Sequence, residues 1–319
     1  MKNTLLKILT LLLIISIYSC ADQPTKTINK SKIEKREAEN KMISLLDKGF
    51  HKALFVPKSD KLVLSTENDK GLSLYDFKND VVENLTSKDG AGMYPVFTSN
   101  GKYVVYQTHE FKNRRRLTSI FLQDIVEKTI IPIVTDKRNI KIISANNHFV
   151  YFLDGEAVKG FDILTGEMTT NPKDVTLAFT DNELNLSLFA NGKKTNINPQ
   201  GKGNYIWVSI SPDKTSVLYN YPQKGSFISD LNGKTIHDLG KINAAKWSDD
   251  GKWIIGMADT DDGHKYIKSD ILLISSDGKT KKNLTENSDL IALYPSISPD
   301  NKKIVYNTDE GRVYLMKLK

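Results

Sequence analysis

Acidic side chains cluster beside a glycine near residue 260, in a pattern that could bind a metal ion. Asp259, Asp261 and Asp262 precede Gly263 in the segment DTDDGHKYIKSD, residues 259–270. Carboxylates at this spacing, with a glycine that permits a sharp turn, are typical of Ca²⁺-binding loops. The segment lacks the full spacing of an EF-hand and the bidentate glutamate at its end. A solvated charged loop is therefore the favoured interpretation, and Ca²⁺ is the one cofactor that stays open as an alternative.

The sequence contains no recognisable catalytic constellation. Its five histidines are scattered along the chain, and neither a Gly-x-Ser-x-Gly nucleophile elbow nor a His-Glu-x-x-His zinc motif occurs. Convergent acids or metal-binding histidines cannot be placed together from their spacing alone. We therefore predict no catalytic residue, and a non-enzymatic role is favoured over an enzymatic one.

The side chains best suited to binding are aromatic and cationic. Tyr94, Trp207 and Tyr294 occupy equivalent places just ahead of a repeated phrase. Tyrosine and tryptophan suit a partly wet binding surface, although packing between the units of the fold is an equally reasonable interpretation. Two nearby loops add charge and hydrogen-bonding groups, and their candidate residues are Arg114, Arg115 and Arg116 in THEFKNRRR, and Tyr221 and Lys224 in NYPQKG.

A repeated phrase reveals the elements that must position these side chains. SISPDKTSVLYN spans residues 209–220 and SISPDNKKIVYN spans residues 296–307, with looser copies at 96–107 and 245–256. Each copy predicts a short strand, a tight turn and a second strand, because Ser-Pro-Asp and Asn-Gly are favoured in such turns.

Further strands follow each of these hairpins. A third apolar run such as SFISDLNGK and a weaker fourth such as TKKNLT complete each unit, and the units recur about every 40 residues. The apolar residues are β-branched or aromatic and occur in short runs, which favours strands over helices. Four-stranded units at this period predict an all-β fold, a β-propeller.

The repeats also resemble a known family. The Ser-Pro-Asp turn, followed by a lysine-containing step and an aliphatic-aromatic strand, is similar to the WD40-like repeats of TolB-type β-propellers. The resemblance covers about residues 41–319 and is strongest at 209–220 and 296–307. It implies that the Ser and Asp residues of these turns are structural and not catalytic.

The number of blades and the closure of the ring can also be predicted. We expect six or seven blades, and we favour seven because seven third-strand segments can be counted. The unit at residues 175–199 has room for only three strands and is the degenerate one. The last blade stops after its third strand, so the segment KMISLLDKG, residues 41–49, is predicted to supply the missing outer strand and close the ring.

This architecture predicts where a ligand would bind. In a propeller, the loops between blades and the loops between second and third strands share one face, whereas the Ser-Pro-Asp turns lie on the opposite face. Tyr94, Trp207 and Tyr294 are therefore expected to rim the central channel on the first of these faces. The arginine-rich, acidic and Tyr221–Lys224 loops are expected on the same face.

The amino terminus predicts export and lipidation. Lys2 and Lys7 accompany an apolar run over residues 8–17, which is shorter than the roughly 20 residues of a membrane-spanning helix and typical of a signal peptide. Ser19 and Cys20 end a segment that resembles the lipobox of bacterial lipoproteins, which implies lipidation of Cys20. Cys20 is the only cysteine, and an unlipidated signal peptide is the alternative. We predict a signal peptide at 1–19, a lipidated polar tether at 20–40 and a propeller at 41–319.

The composition narrows the function further. Hydrophobic residues make up 39% and charged residues 26% of the chain, as in soluble globular proteins. A formal charge of +7 without a basic helix or a basic-aromatic strip does not indicate nucleic-acid binding. We predict a lipid-anchored cell-envelope protein, at the outer membrane, that binds a protein or peptide through its propeller. The alternative is a propeller that binds or cleaves a polysaccharide of the envelope, and a purely structural scaffold is a third possibility.

Overall fold

The computed structural model describes residues 42–47 and 49–318, and the predicted signal peptide, Cys20 and the predicted tether lie outside that range. The described chain folds into seven antiparallel sheets, six of four strands and one of three. A single 3₁₀ turn, Glu67–Asp69, is the only helical element in this range. Among the described residues, no helix is long and apolar enough to cross a membrane. The predicted seven-bladed all-β propeller is confirmed.

The strands follow the chain blade by blade. The first strand is β1 (Met42–Leu46), and blade 1 then comprises β2 (Lys52–Phe55), β3 (Lys61–Ser65), β4 (Leu72–Asp76) and β5 (Val81–Thr86). Blade 2 comprises β6 (Val96–Phe97), β7 (Tyr103–Lys112), β8 (Arg115–Asp124) and β9 (Ile130–Lys137). Blade 3 comprises β10 (Ile140–Ala145), β11 (Phe149–Asp154), β12 (Ala157–Asp162) and β13 (Met168–Thr170).

The second half of the ring starts with the degenerate unit. Blade 4 has three strands, β14 (Leu177–Thr180), β15 (Leu186–Ala190) and β16 (Lys193–Asn196). Blade 5 comprises β17 (Ile206–Ile210), β18 (Ser216–Tyr221), β19 (Gly225–Asp230) and β20 (Thr235–Gly240). Blade 6 comprises β21 (Asn243–Trp247), β22 (Trp253–Asp261), β23 (Tyr266–Ser275) and β24 (Lys281–Asn283). Blade 7 comprises β25 (Ala292–Ile297), β26 (Lys303–Thr308) and β27 (Val313–Lys317).

The amino-terminal strand closes the ring. Strand β1 pairs antiparallel with β27, so the order in blade 7 is β1-β27-β26-β25 and β1 is the outermost strand. Leu46 is buried in a cluster with Val313 and Leu315 of β27. The predicted closure by the segment at 41–49 is confirmed, with the pairing carried by Met42–Leu46.

The repeated serine organises each inner hairpin. The Ser211 hydroxyl donates to the Asp213 carboxylate at 2.5 Å and accepts from the backbone N–H of Ser216 at 3.0 Å. The same arrangement recurs at Ser248 and Ser298. These side chains therefore satisfy the backbone of a tight turn, which accounts for the repetition without any catalytic role.

The asparagine that ends the repeated phrase joins neighbouring blades. Asn220 in blade 5 donates to the backbone carbonyl of Ile242, which lies just before blade 6, at 2.9 Å. Asn307 in blade 7 makes the same bond to Phe50, ahead of blade 1, at 2.9 Å. Both asparagines are buried, so each hydrogen bond satisfies a backbone carbonyl inside the protein and fixes the start of the next inner strand.

Candidate functional site

Five side chains from five blades occupy the same place at one end of the channel. In each of these blades the backbone N–H of the first turn residue bonds to the carbonyl five residues later, which sets a common register. The residue four positions before this turn residue is equivalent in all five blades. We call these five residues the rim, and they are Lys52, Tyr94, Trp207, Ala244 and Tyr294. The three aromatic candidates therefore occupy equivalent positions, as the sequence predicted.

Three of the rim residues sit in β-bulges with an unusual backbone. Trp207, Ala244 and Tyr294 have φ values of +48°, +48° and +49°. The register of each inner strand shifts at that point relative to its neighbour. A left-handed backbone costs about 1–3 kcal/mol in a residue with a bulky side chain, and bulges redirect side chains at functional sites. The same distortion in three successive blades therefore marks the rim as a candidate site.

Lys52 of blade 1 contacts the rim tyrosines of blades 2 and 7. Its ammonium nitrogen lies 5.8 Å from the ring centre of Tyr94 and 5.4 Å from that of Tyr294. It also pairs with the Asp69 carboxylate at 2.6 Å. Cation–π contacts of this kind orient aromatic side chains and fix the cation. The result is a mixed aromatic and charged surface on blades 7, 1 and 2.

Sequence reasoning missed Lys52 and Asp69. The first turn of blade 1 reads VPKSD at residues 56–60, without the Ser-Pro-Asp of blades 5 and 7. Counting four residues back from Val56, the equivalent of the repeated serine, would have identified Lys52. Asp69 lies in the loop between β3 and β4, and no sequence signal links it to the rim.

A second tyrosine extends the rim. The hydroxyl oxygens of Tyr266, at the start of β23, and Tyr294 lie 3.2 Å apart. Burial, with the bond to Tyr266, raises the pKa of Tyr294 well above its ordinary value. Desolvation and the Asp69 carboxylate raise the pKa of Tyr94. These phenols therefore stay neutral at physiological pH and can both donate and accept hydrogen bonds.

The three aromatic candidates differ in exposure. Tyr94 is 57% exposed, which leaves most of its ring free to contact a ligand. Trp207 and Tyr294 are half-buried, and both pack against the hydrophobic cluster formed by blades 6 and 7. The alternative that these aromatics pack between blades therefore holds in part for Trp207 and Tyr294.

The arginine-rich loop forms the tip of a long hairpin. Strands β7 and β8 pair as far as Lys112 and Arg115, and Asn113 and Arg114 form the turn with φ values of +50° and +60°. Arg114, Arg115 and Arg116 are exposed. None of the three forms an ion pair with a described residue or bonds to the rim, so they present unpaired positive charge at the tip of the hairpin.

The Tyr221–Lys224 loop belongs to a separate aromatic cluster. The ring of Tyr221 packs edge-to-face on Tyr205 with centroids 5.2 Å apart. The Lys224 ammonium lies 5.0 Å from the centre of the Tyr221 ring. These contacts stiffen the loop of blade 5, but no hydrogen bond or ring contact joins it to Tyr94 or Tyr294.

The acidic loop uses its carboxylates within the protein. Asp259 accepts from the Asn243 side chain at 2.9 Å, and Asp261 accepts from the backbone N–H of Gly263 at 2.8 Å. Asp262 accepts from two backbone N–H groups, which lower its pKa. Over residues 42–47 and 49–318, no group of three or more His, Cys, Asp or Glu side chains could hold a metal ion. The Ca²⁺ alternative therefore finds no ligand cluster in this part of the chain.

Comparison with known proteins supports the fold. No family model matches the sequence. No curated protein matches it either. The solved structures that resemble it include an oligogalacturonate lyase from Vibrio parahaemolyticus, with a TM-score of 0.63, 14% identity, and coverage of 93% of this chain and 98% of that one.

Two further structures share the same fold. An oligogalacturonate lyase in complex with manganese has a TM-score of 0.58 and 14% identity, and the match covers 87% of this chain and 93% of that one. A mitotic checkpoint complex contains a chain with a TM-score of 0.63 and 13% identity, with coverage of 92% and 99%. At these identities the likeness concerns the fold alone, because one fold supports many functions. The TolB-type resemblance stays a prediction.

Proposed function

We propose that this chain is a lipid-anchored propeller of the bacterial cell envelope that binds a protein or peptide at its rim without catalysing a reaction. The observation that carries the proposal is the joining of Tyr94 and Tyr294 through Lys52 at one end of the channel. Exposed or half-exposed tyrosine, tryptophan and cationic groups are the side chains that contribute most to protein interfaces.

The charge balance of the rim fits a polypeptide ligand. Because Asp69 neutralises Lys52, the rim offers aromatic faces and hydrogen bonds without a strong net charge. The unpaired arginines of the β7–β8 hairpin lie further out, where exposed charge accelerates encounter more than it strengthens the bound state. An aromatic centre with a charged periphery is the usual organisation of a protein-binding surface.

The anchor would hold this surface close to a membrane. A diacylglyceryl group on Cys20 would supply two acyl chains, which is sufficient for stable anchoring. The polar segment at residues 20–40 would let the ring stand off the membrane surface. In this proposal the chain works at the outer membrane as a TolB-type propeller.

Site-specific photo-crosslinking in cells tests the proposed binding surface. A benzophenone amino acid at Tyr94, the most exposed rim residue, should crosslink to a discrete protein partner that mass spectrometry identifies. The matched control is the same group at Lys302, which is exposed in a turn on the opposite face. Crosslinking at Lys302 alone would place the partner on the other face, and no protein product at Tyr94 would contradict the proposal.

A polysaccharide-directed function is the second candidate. Two oligogalacturonate lyases are among the similar structures, and aromatic surfaces also stack against sugar rings. Incubation of the purified protein with oligogalacturonates, followed by ultraviolet detection of unsaturated products, distinguishes the two functions. Product formation that is lost in the Tyr94→Ala and Tyr294→Ala proteins would replace the proposal with an enzymatic one.

A further inference from the structure

A cavity lies inside the channel, toward the Ser-Pro-Asp turns. It has a volume of about 240 Å³, and its walls come from blades 1, 2, 6 and 7. Blades 7 and 1 lie between blades 6 and 2 in the ring. Residues of blades 2 and 6 can therefore line the same cavity only if that cavity lies in the central channel. Pro57 and Pro299 of the turns contribute to the wall, whereas Tyr94 and Tyr294 of the rim do not. The two rim tyrosines therefore lie outside the cavity.

The wall of this cavity contains an ammonium group without a partner. Lys246 lies on β21, two residues before Ser248, and lines the cavity while remaining half-buried. It forms no hydrogen bond or ion pair within residues 42–47 and 49–318. Protein surrounds it in the channel, and this burial, with the like charge of Lys52, lowers the pKa of Lys246 to about 8. A poorly solvated, unpaired cation is costly, and an anion at this place would relieve the cost.

Other donors in the wall also lack acceptors. The Ser296 hydroxyl accepts from the backbone N–H of Phe55 at 3.3 Å, and its own proton has no acceptor among the described residues. The indole N–H of Trp247 is buried without an acceptor. Asp249 is the one carboxylate in the wall, and it forms no ion pair with Lys246. The Lys246 ammonium and the Ser296 hydroxyl are therefore donors of the wall without an acceptor among the described residues.

We propose that this cavity binds the carboxylate of an acidic peptide side chain, with the Lys246 ammonium and the Ser296 hydroxyl as its donors. The proposal goes beyond the binding surface at the rim and does not depend on it. Charge-assisted hydrogen bonds to a carboxylate are stronger than neutral ones, particularly where water is partly excluded.

The rest of the wall favours a peptide over a sugar. Most of it is apolar, with Leu54, Phe97 and Ile297 on three sides and the two turn prolines at one end. The methylene groups of a glutamate side chain can contact such a wall while the carboxylate reaches Lys246. A sugar ring would bring several hydroxyl groups that lose water and find few partners, which costs free energy for each.

Two matched peptides test the inference on the full mature protein. The probes are acetyl-Ala-Glu-Ala-amide and its glutamine counterpart, with binding measured by ligand-observed NMR at pH 7. Because a hydrogen bond to a charged group contributes about tenfold or more in affinity, the glutamate peptide should bind roughly tenfold more tightly. Lys246→Gln should abolish that difference, and Ser296→Ala should reduce it.

Controls separate this site from the rim and from a loss of folding. Lys302→Gln, an exposed lysine outside the cavity, and Tyr94→Ala at the rim should both leave the preference for glutamate intact. A melting temperature at or above that of the wild type for the Lys246→Gln protein shows that the ring is still folded. Ser296→Ala tests the same site independently, because it removes the second proposed donor and leaves Lys246 unchanged.

Three results would overturn the inference. Equal or undetectable binding of the two peptides would remove the anion site, and so would a glutamate preference that survives Lys246→Gln. Tighter binding of digalacturonate than of the glutamate peptide, lost in Lys246→Gln, would assign the cavity to an acidic sugar instead. The rim proposal stands or fails separately, because its crosslinking experiment does not involve Lys246.

Discussion

At the scale of single residues, Lys246 makes the pH dependence of stability predictable. Its pKa is lowered from 10.5 to about 8 in the folded protein, chiefly by burial. The positive charge of Lys52 on β2 lowers it further. Between these two pH values the unfolded chain binds more protons, so this group adds stability as the pH rises. Below pH 8 both states are protonated, and the full penalty for the charged side chain applies.

The substitution Lys246→Met should therefore stabilise the protein at neutral pH. Methionine keeps the length of the side chain and removes the charge, so the melting temperature should rise by a few degrees at pH 7 and by much less at pH 10. Thermal denaturation at the two pH values measures the effect, and Lys302→Met is the exposed control. An equal rise at both pH values would attribute the effect to packing and not to charge.

Trp207 tests whether the strained rim residues contribute to binding. Because its side chain is half-buried, Trp207→Ala should lower the melting temperature modestly while the ring stays folded. Loss of a central aromatic side chain typically costs at least about 2 kcal/mol of binding free energy, or roughly 30-fold in affinity. Titration of the crosslinked partner against both proteins measures this loss. A variant that melts far below the wild type would make Trp207 a residue of the core.

At the scale of elements, strand β1 should be far more important for stability than the tether before it. Deletion of residues 42–46 exposes the β27 edge and the apolar surface around Leu46. The free energy of unfolding should fall by several kcal/mol, or the protein should aggregate. Deletion of residues 21–38 should leave the melting temperature nearly unchanged. Equal melting temperatures for the two deletions would show that β1 contributes little to closure.

The β7–β8 hairpin should act on the rate of association. Arg114, Arg115 and Arg116 are exposed and unpaired with described residues, so their electrostatic field can attract an acidic partner before contact. Changing all three to serine should slow association with the partner and flatten its dependence on salt, with a smaller effect on dissociation. Surface plasmon resonance at several salt concentrations measures both rates. An altered dissociation rate alone would place the arginines inside the interface.

At the scale of the whole molecule, the sequence predicted the ring well and its channel poorly. The Ser-Pro-Asp turns and the alternating strands are local signals, and they predicted six or seven blades, with the unit at 175–199 as the degenerate one. Lys52 and Lys246 are distant in sequence and influence each other only when the ring closes, and Asp69 pairs with Lys52 from a loop 17 residues further along, so no local pattern groups them. The left-handed backbone of Trp207 was equally invisible, because it arises from a bulge imposed by the pairing of β17 with β18.

The location that we propose for the ring in the cell depends on Cys20, the only cysteine of the chain. If Cys20 carries the lipid, Cys20→Ser removes the attachment point, because a serine hydroxyl cannot replace the thiol in lipidation. The variant should then stay as an uncleaved precursor or appear in the soluble fraction, whereas the wild type should fractionate with membranes. Immunoblotting of membrane and soluble fractions, with mass spectrometry of the amino terminus, separates these outcomes. Because the propeller lies beyond residue 41, its melting temperature should not change, which excludes misfolding as the cause. A processed Cys20→Ser protein that still fractionates with membranes would mean that the propeller itself, or a bound partner, holds the chain at the membrane.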